Sequence, residues 1–205
     1  MAEILDYFDD TMQLLGTAPR DEIHAKGLLH QVAHCWIVTY SGEKPDRYNS
    51  RIWSQQRSFS KKDFPGLYDA LSMGGHIDAG EQPLSAACRE TWEELGLTLS
   101  PEQLVCLGAY RDTDVILPGF HDRETAWVYG ICLPEPAGFQ PGEEVEKMVW
   151  LSLEEMCRKE LEQRFPVTVH TMDGADVETQ EKDWCIHSAE FETMVLPWLH
   201  SIGIE

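Results

Sequence analysis

Apolar and polar positions alternate along this chain with two different periods. Residues 34–40 (HCWIVTY) and 51–57 (RIWSQQR) carry the β-branched and aromatic side chains of strands, and the turn-rich SGEKPDRYNS joins them. The next stretch, SFSKKDFPGLYD, is predicted to be a loop because Pro65 and Gly66 stop any regular element. From Pro83 to Leu95 the period becomes helical, with proline near the first helical position and Gly96 just past the end. Further strands are expected at 104–111, 125–133 and 146–151, the last preceded by a loop rich in proline and glycine. Residues 153–163 and 189–202 have helical spacing, although Pro197 should interrupt the second. Strands mixed with three helices predict an α/β sandwich around a mixed sheet.

Composition narrows the setting. The chain has 205 residues, 42% hydrophobic and 10% aromatic, enough for one sizeable folded domain. It has no run of about 18 apolar residues and no basic-then-apolar leader, so neither a membrane span nor a signal peptide is expected. Cys35, Cys88, Cys106, Cys132, Cys157 and Cys185 form no C-x-x-C pair and read as reduced thiols, which points to a cytoplasmic location. The formal net charge of −20 should repel nucleic acid polymers and membranes. An anionic small molecule is still admissible where a metal ion inverts the local sign.

The chemistry is concentrated in residues 75–97, GHIDAGEQPLSAACRETWEELGL. At 100° per residue, Glu90, Glu93 and Glu94 fall within an arc of about 100°, while Leu84, Cys88, Thr91 and Leu95 collect on a core-facing side. Three carboxylates on one face repel one another, and a hard divalent cation such as Mg²⁺ relieves that repulsion. Mg²⁺ commonly shares its shell with water and substrate phosphates, as attack on a phosphoanhydride requires. Gly75 would let backbone approach a ligand or metal closely, and Gly96 would supply a left-handed stop. Arg89 and Glu81 could form a charge pair fixing the preceding loop to the helix. Seven specified residues at roughly 5–7% frequency give a chance match on the order of 10⁻⁹ to 10⁻⁸ per start position. A merely solvated acidic helix is therefore the weaker explanation.

Gly75, Glu81, Arg89, Glu90, Glu93, Glu94 and Gly96, closed by the apolar Leu97, resemble the Nudix box throughout, with Thr91 at a position that is usually apolar. The resemblance implies an α/β/α sandwich and Mg²⁺- or Mn²⁺-dependent cleavage of nucleoside diphosphates linked to another group. It implies Glu90, Glu93 and Glu94 as metal ligands together with Gly75, with one of the glutamates, or Glu124 outside the box, polarising the water and Arg89 supporting them. It suggests a single domain over 1–205: a core of about 27–151, an N-terminal extension 1–26 and a C-terminal helical segment of about 152–205. A small-molecule diphosphate is the expected partner, and a homodimer is compatible with the resemblance.

The likeness extends beyond the box. Leu29-His30, Gln56-Arg57-Ser58, KKDFPG at 61–66 and Gly75-His76 are similar to the type I isopentenyl diphosphate isomerases, which share the fold but move a double bond. Those enzymes use a cysteine directly before the Gly-His pair, where this chain has Gly74; glycine has no side-chain proton to give. The complete acidic box and the missing cysteine both favour hydrolysis over isomerisation. The isomerase resemblance also implies metal binding by His30 and His76, by His24 with an offset of about one residue, and by the acid pair Asp122 and Glu124. His34, four residues after His30, reads as ordinary core or surface. Arg57, Lys61 and Lys62 are candidate phosphate-facing cations. Trp36, Trp53, Tyr68, Trp127 and Trp184 could stack a base, with core packing the commoner role. Selectivity is expected to reside in the turn 41–50 and the stretch 165–205. A module that binds a nucleotide without catalysis is the third alternative.

Overall fold

Side chains of residues 30–40 point alternately into two hydrophobic clusters. Val32, Trp36 and Val38 enter one, and Ala33, Cys35 and Ile37 enter the other. That is the two-residue period of a strand buried on both faces. This strand, β3 (His30–Tyr40), lies inside the main sheet of the computed structural model, which describes residues 3–111, 115–185 and 189–205. From one edge the strands run β13 (Asp176–Thr179), β12 (Val167–Thr171), β11 (Val145–Leu151), β4 (Ser50–Arg57), β3, β10 (Glu124–Pro134) and β7 (Val105–Arg111). Two short strands, β5 (Tyr68–Asp69) and β6 (Met73–His76), pair with β4 and β3. β3 and β10 run parallel, from His30 opposite Glu124 to Tyr40 opposite Pro134, and the other pairings between these strands are antiparallel. The expected mixed sheet is therefore present.

Helices cover both faces. Helix α2 (Pro83–Leu95) presses Ala86, Ala87 and Leu95 onto Ala33, Cys35 and Ile37. The opposite face is covered by α3 (Leu153–Glu160), a π-helical turn at Phe191–Val195 and α4 (Leu196–Ser201), through Met156, Phe191, Val195, Trp198 and Leu199. The bounds of α2 agree with the sequence reading. Gly96 adopts the left-handed conformation (φ 67°), and its N–H returns to the carbonyls of Thr91 and Trp92. Thr91, the polar residue on the core-facing side, is buried and donates its hydroxyl to the Ala87 carbonyl, so no polar atom is stranded there.

In the N-terminal extension, for which no element was expected, β1 (Ile4–Phe8) pairs with β2 (Leu14–Pro19), and α1 (Arg20–Lys26) follows directly. One segment differs from expectation. The C-terminal stretch, expected to be helical, contributes the β12–β13 hairpin to the sheet edge before its helical turns. Val167, Val169 and Thr171 alternate inward, and that pattern marks a strand. Pro197 is the second residue of α4, where the π-helical turn Phe191–Val195 gives way to an α-helix, so the interruption expected there is a change of helical type within one run. A further hairpin, β8 (Val115–Leu117) with β9 (Phe120–Asp122), lies off the sheet and brings Asp122 toward α1. Among the described residues no helix is long and apolar enough to cross a membrane.

Candidate active site and metal centre

A cleft of about 970 Å³ opens between the loop after β4, strand β6, one side of α2 and the two small hairpins. Glu90, Glu93 and Glu94 line it from α2, and Arg57, Lys61 and Lys62 line it from the facing loop. The predicted site residues are thus brought to one cavity, which Gly75, Arg89 and Glu124 also border.

Arg89 organises the box. Its guanidinium donates to both Glu81 oxygens (3.0 and 2.7 Å), to the His76 carbonyl (3.0 Å), to Glu90 (2.7 Å) and to Glu93 (3.2 Å). Loop, strand and helix are therefore tied through one planar cation, and the expected Arg89–Glu81 pair is part of that tie. Gly75 has a reason beyond ligand access: a Cβ there would lie 2.2 Å from the Glu90 Cδ. The glycine is the space into which the Glu90 side chain fits.

Glu94 is only 3% exposed, deeper than a residue on a solvated acidic face would be. Burial pushes its carboxyl up to about 8, with Lys61 at 3.7 Å opposing and Glu90 and Glu144 adding to the rise. Burial likewise lifts Glu90 to about 7, against the pull of Arg89. Two carboxylates without enough countercharge around them suit a divalent cation. Lys61 is itself paired with Glu144, and Arg57 donates to the Asp63 carbonyl from Nε and Nη2 (3.2 and 3.0 Å). Lys62 is mostly exposed and reaches Asp21 at 3.4 Å.

These raised values have a testable consequence. A carboxyl whose folded value exceeds its unfolded value stabilises the fold below its ordinary range near 4.5, and that contribution is lost as pH rises through 7 to 8. The metal-free protein should therefore lose thermal stability from Glu90 and Glu94 between about pH 5.5 and pH 8.5, while the rise in Tm on adding Mg²⁺ or Mn²⁺ should grow over that interval. Calorimetric scans with and without metal across that range check both directions.

The second cluster sits at the same cleft. His24, on α1, is brought to His30 and His76 with ring centroids 5.0 and 5.3 Å away, and ligand nitrogens of the three lie within 4.8 Å of one another. His30, Asp122 and Glu124 form a second group of ligand atoms within the same limit. Gly27 ends α1 in a left-handed cap (φ 61°) and turns the chain into β3, which leaves His24 beside His30 despite its offset in sequence. Burial and the neighbouring His76 hold His30 down to about 3, against Asp122, so the ring stays neutral and able to bind metal. His76 is lowered by burial, against its Glu3 contact at 3.3 Å. His30 Nε2 and Asp122 Oδ1 are buried with no hydrogen-bond partner, and such a donor set fits a divalent cation. Among the described residues, Glu90, Glu93 and Glu94 do not form a comparable group.

The reading of one histidine is corrected. His34, read as ordinary core or surface, borders the cleft beside Gly74, with its Nδ1 2.7 Å from Glu190 and its Nε2 3.7 Å from Glu124. Burial opposes its charge, but Glu190, Glu124 and Asp69 raise it to about 10. Sequence reasoning does not reach Glu190, because the buried environment of an acidic residue 156 positions from its partner leaves no local signal. Core packing, the commoner role expected for Trp36, Trp53, Tyr68, Trp127 and Trp184, is the role found: all five lie in or against the hydrophobic clusters and do not border the cleft, whose aromatic lining among the described residues is Phe64, Phe120 and the histidines. The turn 41–50 does not border it either, and the C-terminal stretch reaches it through Cys185.

Comparison with known proteins agrees with this geometry. The chain is 35% identical over 132 residues to an uncharacterized Nudix hydrolase of Clostridium acetobutylicum, covering 62% of this chain and 58% of that one. It is 30% identical over 171 residues to an isopentenyl-diphosphate Delta-isomerase of Clavibacter sepedonicus, covering 82% and 80%. The chain thus spans less than two thirds of the length of the Clostridium relative. A crystal structure of a Deinococcus radiodurans protein has the same fold, with a TM-score of 0.52 at 21% identity over 74% of this chain and 85% of that one. The NUDIX domain model matches residues 31–171, and the chain belongs to the Nudix hydrolase family.

Proposed function

We propose that this protein hydrolyses a phosphoanhydride bond in a small diphosphate, either a nucleoside diphosphate derivative or a simpler ester, with Mg²⁺ or Mn²⁺ as cofactor. The observation that carries this reading is the convergence of Glu90, Glu93 and Glu94 with Arg57 and Lys61 on one cleft. Glu90, Glu93 and Glu94, with Gly75 alongside, would hold one cation, and the His24, His30, His76, Asp122 and Glu124 cluster would hold another. A bound divalent cation neutralises phosphate oxygens and makes an attacking water more acidic. Arg57 and Lys61 orient the phosphates by charge-assisted hydrogen bonds. Arg89 keeps Glu90 and Glu93 in place without touching substrate. Glu94 or Glu124 accepts the proton of the water. With Phe64 and Phe120 as the non-histidine aromatic lining, and Phe120 already stacked on His24 at 4.7 Å, the cleft offers little platform for a nucleobase.

Isomerisation of a prenyl diphosphate is the second reading, favoured by the histidine–carboxylate cluster and opposed by Gly74. One experiment separates the two. Nucleoside di- and triphosphates, nucleotide sugars, dinucleotides and prenyl diphosphates are incubated with Mg²⁺ or Mn²⁺, followed by phosphate release and by deuterium exchange into isopentenyl diphosphate. Phosphate or nucleotide release supports hydrolysis; exchange without release supports isomerisation; neither would leave a binding module.

A further inference from the structure

Beneath the cleft, two side chains of β3 converge on one carboxylate. The Trp36 indole donates to Glu190 Oε1 at 2.6 Å, and the His34 Nδ1 lies 2.7 Å from Glu190 Oε2. His34 and Trp36 are two residues apart on one face of the strand, so a single carboxylate bridges both rings. Glu190 is 4% exposed and comes from the far end of the chain, immediately before the π-helical turn Phe191–Val195. Such turns recur where a helix is distorted to place a functional side chain.

Orientation follows from those bonds. With Nδ1 engaged by Glu190, the other ring nitrogen lies 3.7 Å from Glu124 Oε1, an ion-pair distance longer than a hydrogen bond. Gly74 faces His34 in the β3–β6 register, and a Cβ there would stand 3.5 Å from His34 Cδ2 and 3.8 Å from Nε2. Gly74 is not in the left-handed region, so its backbone does not require glycine. What glycine provides is open space over the His34 ring. A buried acid–base pair also gives little net stability compared with apolar side chains of the same volume. Its position against a cleft carboxylate supplies a different reason for it.

We propose that His34 is a positioning residue that fixes the Glu124 carboxylate for metal binding, and that Glu190 fixes His34. This makes the C-terminal segment part of the site, although none of its described residues belongs to the metal-ligand groups. The inference rests on the metal-binding role proposed for Glu124. Outer partners of this type usually alter metal affinity by about 10- to 100-fold when removed.

The test is calorimetric titration of the full-length protein with Mn²⁺ alone, following the binding event that His30→Ala abolishes. His34→Phe should weaken that event by about 10- to 100-fold. Glu190→Gln should retain most of the affinity, because its amide can still accept from Trp36 and donate to Nδ1, leaving Nε2 to donate toward Glu124. Met156→Ala, a packing loss on α3 away from the cleft, should lower Tm without changing the affinity. Unchanged Mn²⁺ affinity in His34→Phe would overturn the inference alone, as would losses that merely track Tm across the three variants. If His34→Phe does not fold, Glu190→Leu replaces it; the same weakening is expected, and unchanged affinity there overturns the inference equally. Failure of the wild-type protein to bind Mn²⁺ would overturn the metal reading of the cluster, and this inference with it.

Discussion

Glu94→Gln should lower turnover by on the order of 10³-fold while leaving the metal-free protein at least as stable as the wild type at pH 8. The two effects have one cause. Glu94 is enclosed beside Gln55 (3.3 Å) and Lys61 (3.7 Å), so its charged form is held in a setting that penalises it. Glutamine keeps the shape and one acceptor, and it removes the burial cost of the charge. In the hydrolytic mechanism proposed above, the same change deletes an oxygen that would hold a cation and accept the proton of the attacking water, which sets the size of the expected loss. Glu90→Gln should act similarly on turnover, but its Arg89 partner at 2.7 Å would then keep less of its own compensation. Turnover and thermal melting measured on the same preparations check the prediction. Near-wild-type turnover in both variants would sink the hydrolase assignment. A large drop in Tm with Glu94→Gln would instead show that its carboxylate is structural.

What the sequence made legible follows from the range over which each feature is encoded. Helix α2 and its acidic face were readable because period, first-turn proline and glycine stop all lie within fourteen residues. Strands β3, β4, β10 and β11 were readable from local alternation, with shifts of a few residues at their ends. His24 was harder: its place depends on the turn at Gly27 and on the β8–β9 hairpin that brings Phe120 and Asp122 over it. The burial of Glu94 was also hidden, because an acid at helical spacing from two others looks solvent-facing until the loop carrying Lys61 folds over it. His34 and Glu190 join residues 156 positions apart. The β12 strand is encoded locally in VTVHT, where the inward Val167, Val169 and Thr171 carry a strand signal.

Adjacent glycines should respond in opposite ways to a single methyl group. In Gly75→Ala the new Cβ would meet Glu90 at 2.2 Å from Cδ and 2.5 Å from both Cγ and Oε1, distances at which the glutamate must move. Moving it also disturbs the Arg89–Glu90 bond, and through Arg89 the contacts to Glu81 and the His76 carbonyl. A displacement of about 1 Å in a positioned catalytic group can cost on the order of 10²-fold in rate. That loss is expected for Gly75→Ala, with a small fall in Tm. In Gly74→Ala the nearest atom is the Leu71 Cδ1 at 3.0 Å, the end of a flexible side chain, and the His34 ring lies at ordinary contact distance. Rotation of the leucine relieves the contact, so turnover should stay within about threefold of wild type, less than about 1 kcal/mol in barrier height. Paired kinetics at saturating metal decide the matter. Equal tolerance at both positions would show that Glu90 need not occupy the place now reserved for it by Gly75.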